Sequence, residues 1–332
     1  MSCVPGESCV AHDLPVESSG SWGELASSPS ISAYDGKWRL ASGLEVSLPG
    51  HGDRGAGCGT PKAMLCDSCG RSFVSRHACM NRDCPDCFTK WARGEARIAS
   101  FRLWSGVRLV ARELARRYYR IVHVVVSFPD EAEAYRTCRE RVYRVCREHG
   151  VVGGPCVFHP FRMDVDGEYV PDGYLHFHVI GVAFGNIEQG GLERDGDLVF
   201  KVVRDARHHD FGGFRSEAEV RACLSYELGH VGIVHEDRDR EGVVQCRHAL
   251  TWFGVLSYGK LSTETLRLSC PEGFDAVHAV VSARCPSCGS RDTVQIGEFM
   301  PDGLLAPDWA LRDYQRSHAC WGQWRVERGS DA

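Results

Sequence analysis

The chain has 332 residues, a formal charge of −5, 43% apolar residues and 25% charged ones. That is long enough for two domains or for one large domain with small appendages, and it excludes a fibre. No run approaches the roughly 20 continuous apolar residues of a membrane helix. The start, MSCVPGESCVAHDLPVESS, has neither a basic opening nor an apolar block, so a soluble, cytoplasmic protein with no membrane partner is expected.

The negative balance argues against a uniform basic coat for duplex DNA, although a local patch can serve. The basic residues are 34 Arg and 5 Lys. A GC-rich genome produces such a bias, and Arg also grips phosphate bidentately where Lys cannot.

Residues 1–60 are rich in Ser, Gly and Pro without a sustained period, which predicts a mobile tail. A zinc module with an Arg-rich helix is expected over 61–118. Of the 17 cysteines, those clustered in a chain without an export signal point to metal rather than disulfides. The segment CDSCGRSFVSRHACMNRDCPDC holds Cys66-x-x-Cys69 and Cys84-x-x-Cys87, two knuckles that suit a tetrahedral zinc site. Cys79 or His77 can take the place of Cys66. Arg71, Arg76 and Arg82 lie inside this segment. The helix predicted over 93–120 has apolar spacing at Ile98, Phe101, Leu109, Val110 and Leu114; its arginines either track a phosphate backbone or face solvent. Trp91, Trp104 and Tyr118 are core aromatics or platforms for unpaired bases.

From 119 to 262 strand and helix patterns alternate. RIVHVVVSFP (120–129) reads as a buried strand, and residues 130–150 as a helix with Tyr135, Cys138, Val142, Val145 and Cys146 on one stripe. GPCVFHPFRMDV and YLHFHVIGVAF read as strands joined by the turn DGEYVPDG. Residues 185–214 read as loop. A helix then opens with the capping box Ser216-x-x-Glu219 and stops at glycines, followed by a strand and turn within 246–261. This order predicts an α+β fold with a central antiparallel ferredoxin-like sheet, flanking helices and zinc-binding modules. A C-terminal zinc-ribbon-like module is expected over 263–332. There Cys285-x-x-Cys288 forms a second knuckle, completed by Cys270 or by His318 and Cys320. Cys138, Cys146, Cys156, Cys223 and Cys246 stand singly and read as core.

In the predicted strand around LHFHV, His176 and His178 share one face while Leu175, Phe177 and Val179 share the other. The apolar face suffices for packing, so the imidazoles are free to hold a divalent metal. His159 on the neighbouring strand is the expected third ligand, with His123 and Asp164 as competitors. On the following helix Val220, Leu224 and Val231 form the core stripe, and Tyr226 and His230 share its border. A tyrosine beside a metal-bearing sheet suits nucleophilic attack on phosphate.

With these residues in place, HFHV resembles the HUH motif (His, hydrophobic, His) of rolling-circle endonucleases. CPDCFTKWARGEA, HVVVSFP, REHGVVGGPCVFHPFR, LHFHVIG, YELGHVGI and HALTWFGVLSYGKL are similar to segments of the replication initiator (Rep) proteins of haloarchaeal small plasmids and pleomorphic viruses. The resemblance covers about residues 66–290. It implies an HUH-type sheet and a site-specific single-strand DNA endonuclease. By that resemblance His176, His178 and His159 hold Mg²⁺ or Mn²⁺, and Tyr226 forms a 5′-phosphotyrosine; zinc is structural. The partners it implies are single-stranded or origin DNA and host replication machinery. Many HUH enzymes carry a lysine three residues after the tyrosine; here that position is Gly229, followed by His230. Tyr258, with Lys260 two residues on, is a rival nucleophile. A non-catalytic zinc-ribbon protein that binds nucleic acid, and an HUH transposase or relaxase, are the alternative readings.

Overall fold

The computed structural model describes residues 37–40, 43–116, 118–128, 135–163, 166, 169–185, 187, 192–195, 198–204, 213–235, 248–278, 283–300 and 303–305. All lie in one unit, Ile31–Ala332. In chain order the elements are β1 (Lys37–Arg39), β2 (Glu45–Ser47), β3 (Pro61–Cys66), β4 (Ser72–Arg76), α1 (Phe88–Glu113), β5 (Arg120–Phe128) and α2 (Tyr135–Glu148). They continue with β6 (Val151–Met163), β7 (Tyr169–Ala183), β8 (Leu192–Asp195), β9 (Leu198–Arg204), α3 (Glu217–Gly229) and β10 (Ile233–His235). The last are β11 (Leu250–Gly254), α4 (Thr263–Ser269), α5 (Pro271–His278), β12 (Thr293–Met300) and β13 (Gly303–Leu305). The chain is thus a mixed α+β protein with antiparallel sheets and, among the described residues, five helices. No helix among them is long and apolar enough to cross a membrane.

Period-two alternation builds the central sheet, whose order is β11-β6-β7-β5-β9-β8. Val122, Val124, Val126 and Phe128 of β5 join Cys156 and Phe158 of β6 and Leu175, Phe177 and Val179 of β7 on one face. There they meet the α2 stripe of Tyr135, Cys138, Val142, Val145 and Cys146. The opposite face presents Ile121, Val157, Ile180 and Val182 to α1 and α3. The stripe of α1, Ala92, Ala96, Ala99, Leu103 and Val107, recurs every three or four residues, and its alanines allow a close approach. Ser216 caps α3, its hydroxyl accepting from the Glu219 N–H at 3.3 Å, and Glu217 and Glu219 put negative charge on the first turn. The end of α1 is a Schellman turn: Ala115 N–H donates to the Arg112 carbonyl and Arg116 N–H to that of Ala111. Ala115 sits there at φ 50°, a left-handed position that favours glycine.

Several expectations change. The first crossover is a split unit, because β5 and β6 both run antiparallel to β7 between them. The closing strand β11 pairs with β6, however. A ferredoxin-like sheet would place it beside β5, where β9 lies instead. Residues 192–195 and 198–204, read from sequence as loop, form this β8–β9 edge. The predicted DGEYVPDG turn is strand from Tyr169 onward, paired with β6 across a register irregularity between His159 and Phe161.

The predicted tail is structured from residue 37. Strand β2 lies between β1 and β10, Leu40, Val46 and Leu48 are buried, and Gly50 and Gly52 donate to the Arg82 and Asp83 carbonyls at 2.9 and 2.7 Å. Residues 1–36 lie outside the described residues. Elements on either side of the boundaries expected near 118 and 262 share a core and a sheet. Helix α1 packs into the central core, and β3 pairs with β12 in a four-stranded sheet, β13-β12-β3-β4.

Candidate metal centre

Three adjacent strands and one helix bring their polar residues to a single point. His159 of β6 is paired with His176 of β7, and His178 follows on the same face. On the other side of β7, β5 contributes His123, whose Nε2 lies 2.8 Å from Nδ1 of His178. Helix α3 crosses this face and inserts Glu227, which is 2% exposed. Its Oε2 is 3.4 Å from Nδ1 of His159 and 3.3 Å from Nδ1 of His178, and its Oε1 is 3.7 Å from Nε2 of His123. His230, just past the last turn of α3, closes the group with its ring 4.3 Å from that of His159. Three overlapping sets can each hold a cation: His159–His176–His178, His123–His178–Glu227 and His159–Glu227–His230.

Glycine makes the helix exit fit. Gly232 N–H donates to the Phe158 carbonyl at 2.7 Å, and a Cβ there would run into the ring of Pro160, next to His159.

Burial sets the protonation states. Burial, then the neighbouring His178, His230 and His176, hold His159 well below the ordinary imidazole range. Burial pulls His178 to about 4, and it does the same to His230 although Glu227 and a hydrogen bond to the Tyr226 carbonyl oppose it. These three imidazoles therefore favour the neutral form, each with one lone pair. His159 Nε2 donates to the Glu227 carbonyl at 2.9 Å, which leaves its Nδ1 lone pair aimed at Oε2. Burial raises the Glu227 carboxyl, and its Oε2 is buried with no hydrogen-bond partner. A buried carboxylate oxygen among neutral nitrogens is costly unless a cation or a proton joins it, so the donor set fits a divalent metal.

Tyr226 stands on the outer side of this group. Its ring is 62% exposed and meets the His230 ring edge-on at 4.7 Å. Tyr169, from the start of β7, stacks on His230 at 5.0 Å with the planes 14° apart. Tyr258 is elsewhere. It follows Gly254, which pairs with Gly153 on β6, six residues from His159, or roughly 20 Å along the strand. There its ring covers the Arg102 guanidinium at 4.1 Å, while Arg102 donates to the Leu256 and Leu261 carbonyls. The alternative nucleophile thus has no access to the histidines. Asp164 lies outside the described residues.

The thiols form two further groups, with pairings that differ from the expected ones. Cys66 and Cys69 meet Cys285 and Cys288, with Sγ atoms 3.5 Å (Cys66–Cys288) and 3.7 Å (Cys69–Cys285) apart. Cys84 and Cys87 meet Cys58 and Cys79, with Cys58 3.5 and 3.3 Å from the first two. Zinc at about 2.3 Å from each sulfur sets them about 3.8 Å apart, so both groups can hold zinc. The N–H groups of Asn81 and Cys288 lower the Cys79 and Cys285 thiols to about 6, as knuckle turns do. The reason for the regrouping is the β3–β12 ladder, in which Cys66 is the register partner of Thr293. Cys270 takes no part, sitting between α4 and α5 with its N–H on the Leu266 carbonyl. Cys246, His318 and Cys320 lie outside the described residues. Cys138, Cys146 and Cys156 are core, whereas Cys223 Sγ is 3.8 Å from Nδ1 of His123.

Two members of these clusters escaped the sequence reading. Glu227 adjoins the expected nucleophile, and its position one turn after Cys223 on the sheet-facing side was the available signal. Cys58, in GCGT, has no CxxC partner to mark it. Comparison with family models, with curated proteins and with solved structures finds no match for the chain.

Proposed function

We propose that the protein is a metal-dependent endonuclease that nicks and rejoins single-stranded DNA through Tyr226, the activity of a rolling-circle replication initiator. One observation carries this reading: a buried His/Glu cation site with an exposed phenol at its rim, ring to ring with a member of the site. The resemblance of HFHV and its companion segments to HUH initiators supports it.

His159 would hold the cation together with His176 and His178 or with Glu227 and His230, and the cation when bound polarises a phosphate oxygen and offsets the charge gained there. An imidazole-rich set favours Mn²⁺ over Mg²⁺, which prefers oxygen ligands and its own water. Tyr226 Oη attacks the scissile phosphorus. The Oη–P bond forms, the P–O3′ bond breaks, and the proton that the phenol gives up balances the one taken by the leaving 3′ oxygen. The products are a free 3′-OH and a 5′-phosphotyrosine. One phosphodiester has replaced another, so reversal rejoins strand ends. Gly229 stands where many such enzymes carry lysine, so α3 offers no lysine at that position. Single-stranded origin DNA is the substrate, host replication machinery uses the 3′ end, and the zinc-bearing modules dock the DNA.

The two four-cysteine groups favour one other reading, a zinc-ribbon protein that binds nucleic acid without cutting it. A labelled single-stranded origin oligonucleotide with Mn²⁺ separates the two. The endonuclease gives an adduct that survives a denaturing gel, lost by about 10³-fold or more in Tyr226→Phe and kept in Tyr258→Phe. A wild type that only shifts the DNA under native conditions supports the binding protein.

A further inference from the structure

His230 has little of its own chain to hold it. It follows the last helical residue at φ −135°, ψ 24°, so helix geometry no longer fixes its ring. Its neighbours do. One ring nitrogen donates to the Tyr226 carbonyl, Tyr226 meets the ring edge-on, the His159 ring lies tilted against it at 4.3 Å, and Tyr169 covers a face at 5.0 Å in near-parallel stacking. A ring fixed in this way turns its second nitrogen toward Glu227 and His159, with which it can share a cation. The same column, Tyr169 on His230 on Tyr226, sets where the exposed phenol stands.

Tyr169 lies at the start of β7, beyond the register irregularity between His159 and Phe161, and its half-buried ring also packs against the core that holds Phe161 and Leu175.

We propose that Tyr169 is a positioning residue, whose aromatic ring holds His230 in its cation-binding orientation and thereby places Tyr226. The inference rests on the metal-centre reading but needs no DNA chemistry. A hydroxyl is not required, so Tyr169→Phe and Tyr169→Trp serve as conservative rescues, and Tyr169→Leu keeps bulk without a stacking face.

The test titrates Mn²⁺ alone into the full chain, followed by calorimetry and by the Mn²⁺ spin-resonance signal. Imidazole nitrogen resonances report the His230 tautomer. Tyr169→Phe should bind Mn²⁺ within about twofold of wild type, while Tyr169→Leu should bind about 10- to 100-fold more weakly and show His230 in mixed tautomers. Adduct formation in Tyr169→Leu should lose rate at saturating DNA with little change in DNA affinity. Equal weakening in Tyr169→Phe would mean that the hydroxyl acts directly, and would overturn the proposal even where the leucine variant fails to fold. Unchanged Mn²⁺ affinity in a folded Tyr169→Leu would overturn it too. A wild type that forms no adduct, yet loses Mn²⁺ in Tyr169→Leu, refutes the endonuclease and leaves Tyr169 in its role.

Discussion

The histidine group and the thiol groups solve the same problem, gathering ligands for a cation, in opposite ways. The histidine group draws on neighbouring strands and the helix that crosses them, His159 and Glu227 lie deep, and burial holds His159, His178 and His230 below the ordinary imidazole range before any metal arrives. The sulfur group of Cys66, Cys69, Cys285 and Cys288 joins knuckles from opposite ends of the described chain, with Cys69 and Cys288 exposed. The first is preorganised by the fold; the second helps to make the fold. Metal should therefore tune the one and assemble the other.

The largest effect expected follows from that contrast. Cys66→Ser should lower bound zinc from two ions to one and open the β3–β12 pairing to protease around 283–305, while Mn²⁺ binding at the histidines persists. Apparent zinc-binding energies in structural sites, on the order of 10 kcal/mol, make this loss decisive for the small sheet. Metal analysis with limited proteolysis reads it, and intact β12 in a zinc-free variant would erase the distinction.

Glu227→Gln sharpens the other half. Removing a buried carboxylate, one oxygen of which has no hydrogen-bond partner, should raise the melting temperature of the metal-free protein, while Mn²⁺ affinity falls by about 100-fold. A drop in both would make Glu227 an ordinary structural acid.

Next in size is Leu224→Ala, in the α1–α3 core beneath the centre, which should cost about 2–5 kcal/mol by denaturant melts.

The pH dependence of the metal-free protein has a definite sign. His178 and His230 are lowered to about 4 in the folded state, whereas an unfolded imidazole takes its proton near 6.5. The unfolded state therefore binds more protons across that interval. The contribution of these histidines is present above about 6.5 and is lost as pH falls toward 4, with up to about two protons taken up. Burial of Glu227 acts oppositely, weakening the fold as pH rises past its ordinary range. Stability curves for wild type and His230→Gln should diverge below about pH 6.5. The smallest effect is Ala115→Gly, which relieves a left-handed alanine and should add about 0.5–1 kcal/mol.

What sequence could reveal follows the same contrast. Ligands spaced two or three apart on one element were visible, since His176 and His178 share a face by strand period and each CxxC declares a knuckle by itself. The helix stripe of α2 was visible for the same reason, residue for residue. Matching one knuckle with another requires the β3–β12 register, which no local spacing encodes. Glu227 was hidden because a glutamate on a helix ordinarily faces water, and only the packing of α3 onto the histidine face turns it inward. The β8–β9 edge was obscured by the glycines and charges around it, and the order of the closing strand by the absence of any local rule for which edge it joins.

Residues 45–52 touch both kinds of centre. Along β2 they pair with β10, immediately after His230, and through Gly50 and Gly52 they hang on the loop that supplies Cys84. Whoever trims this protein for expression at the apparent end of its Ser-, Gly- and Pro-rich opening stretch, near residue 60, would discard Cys58 along with the strap that ties the sulfur cage to the exit of α3. A shortened version that proves inert would then testify to a missing splint, and say little about the chemistry of the whole chain.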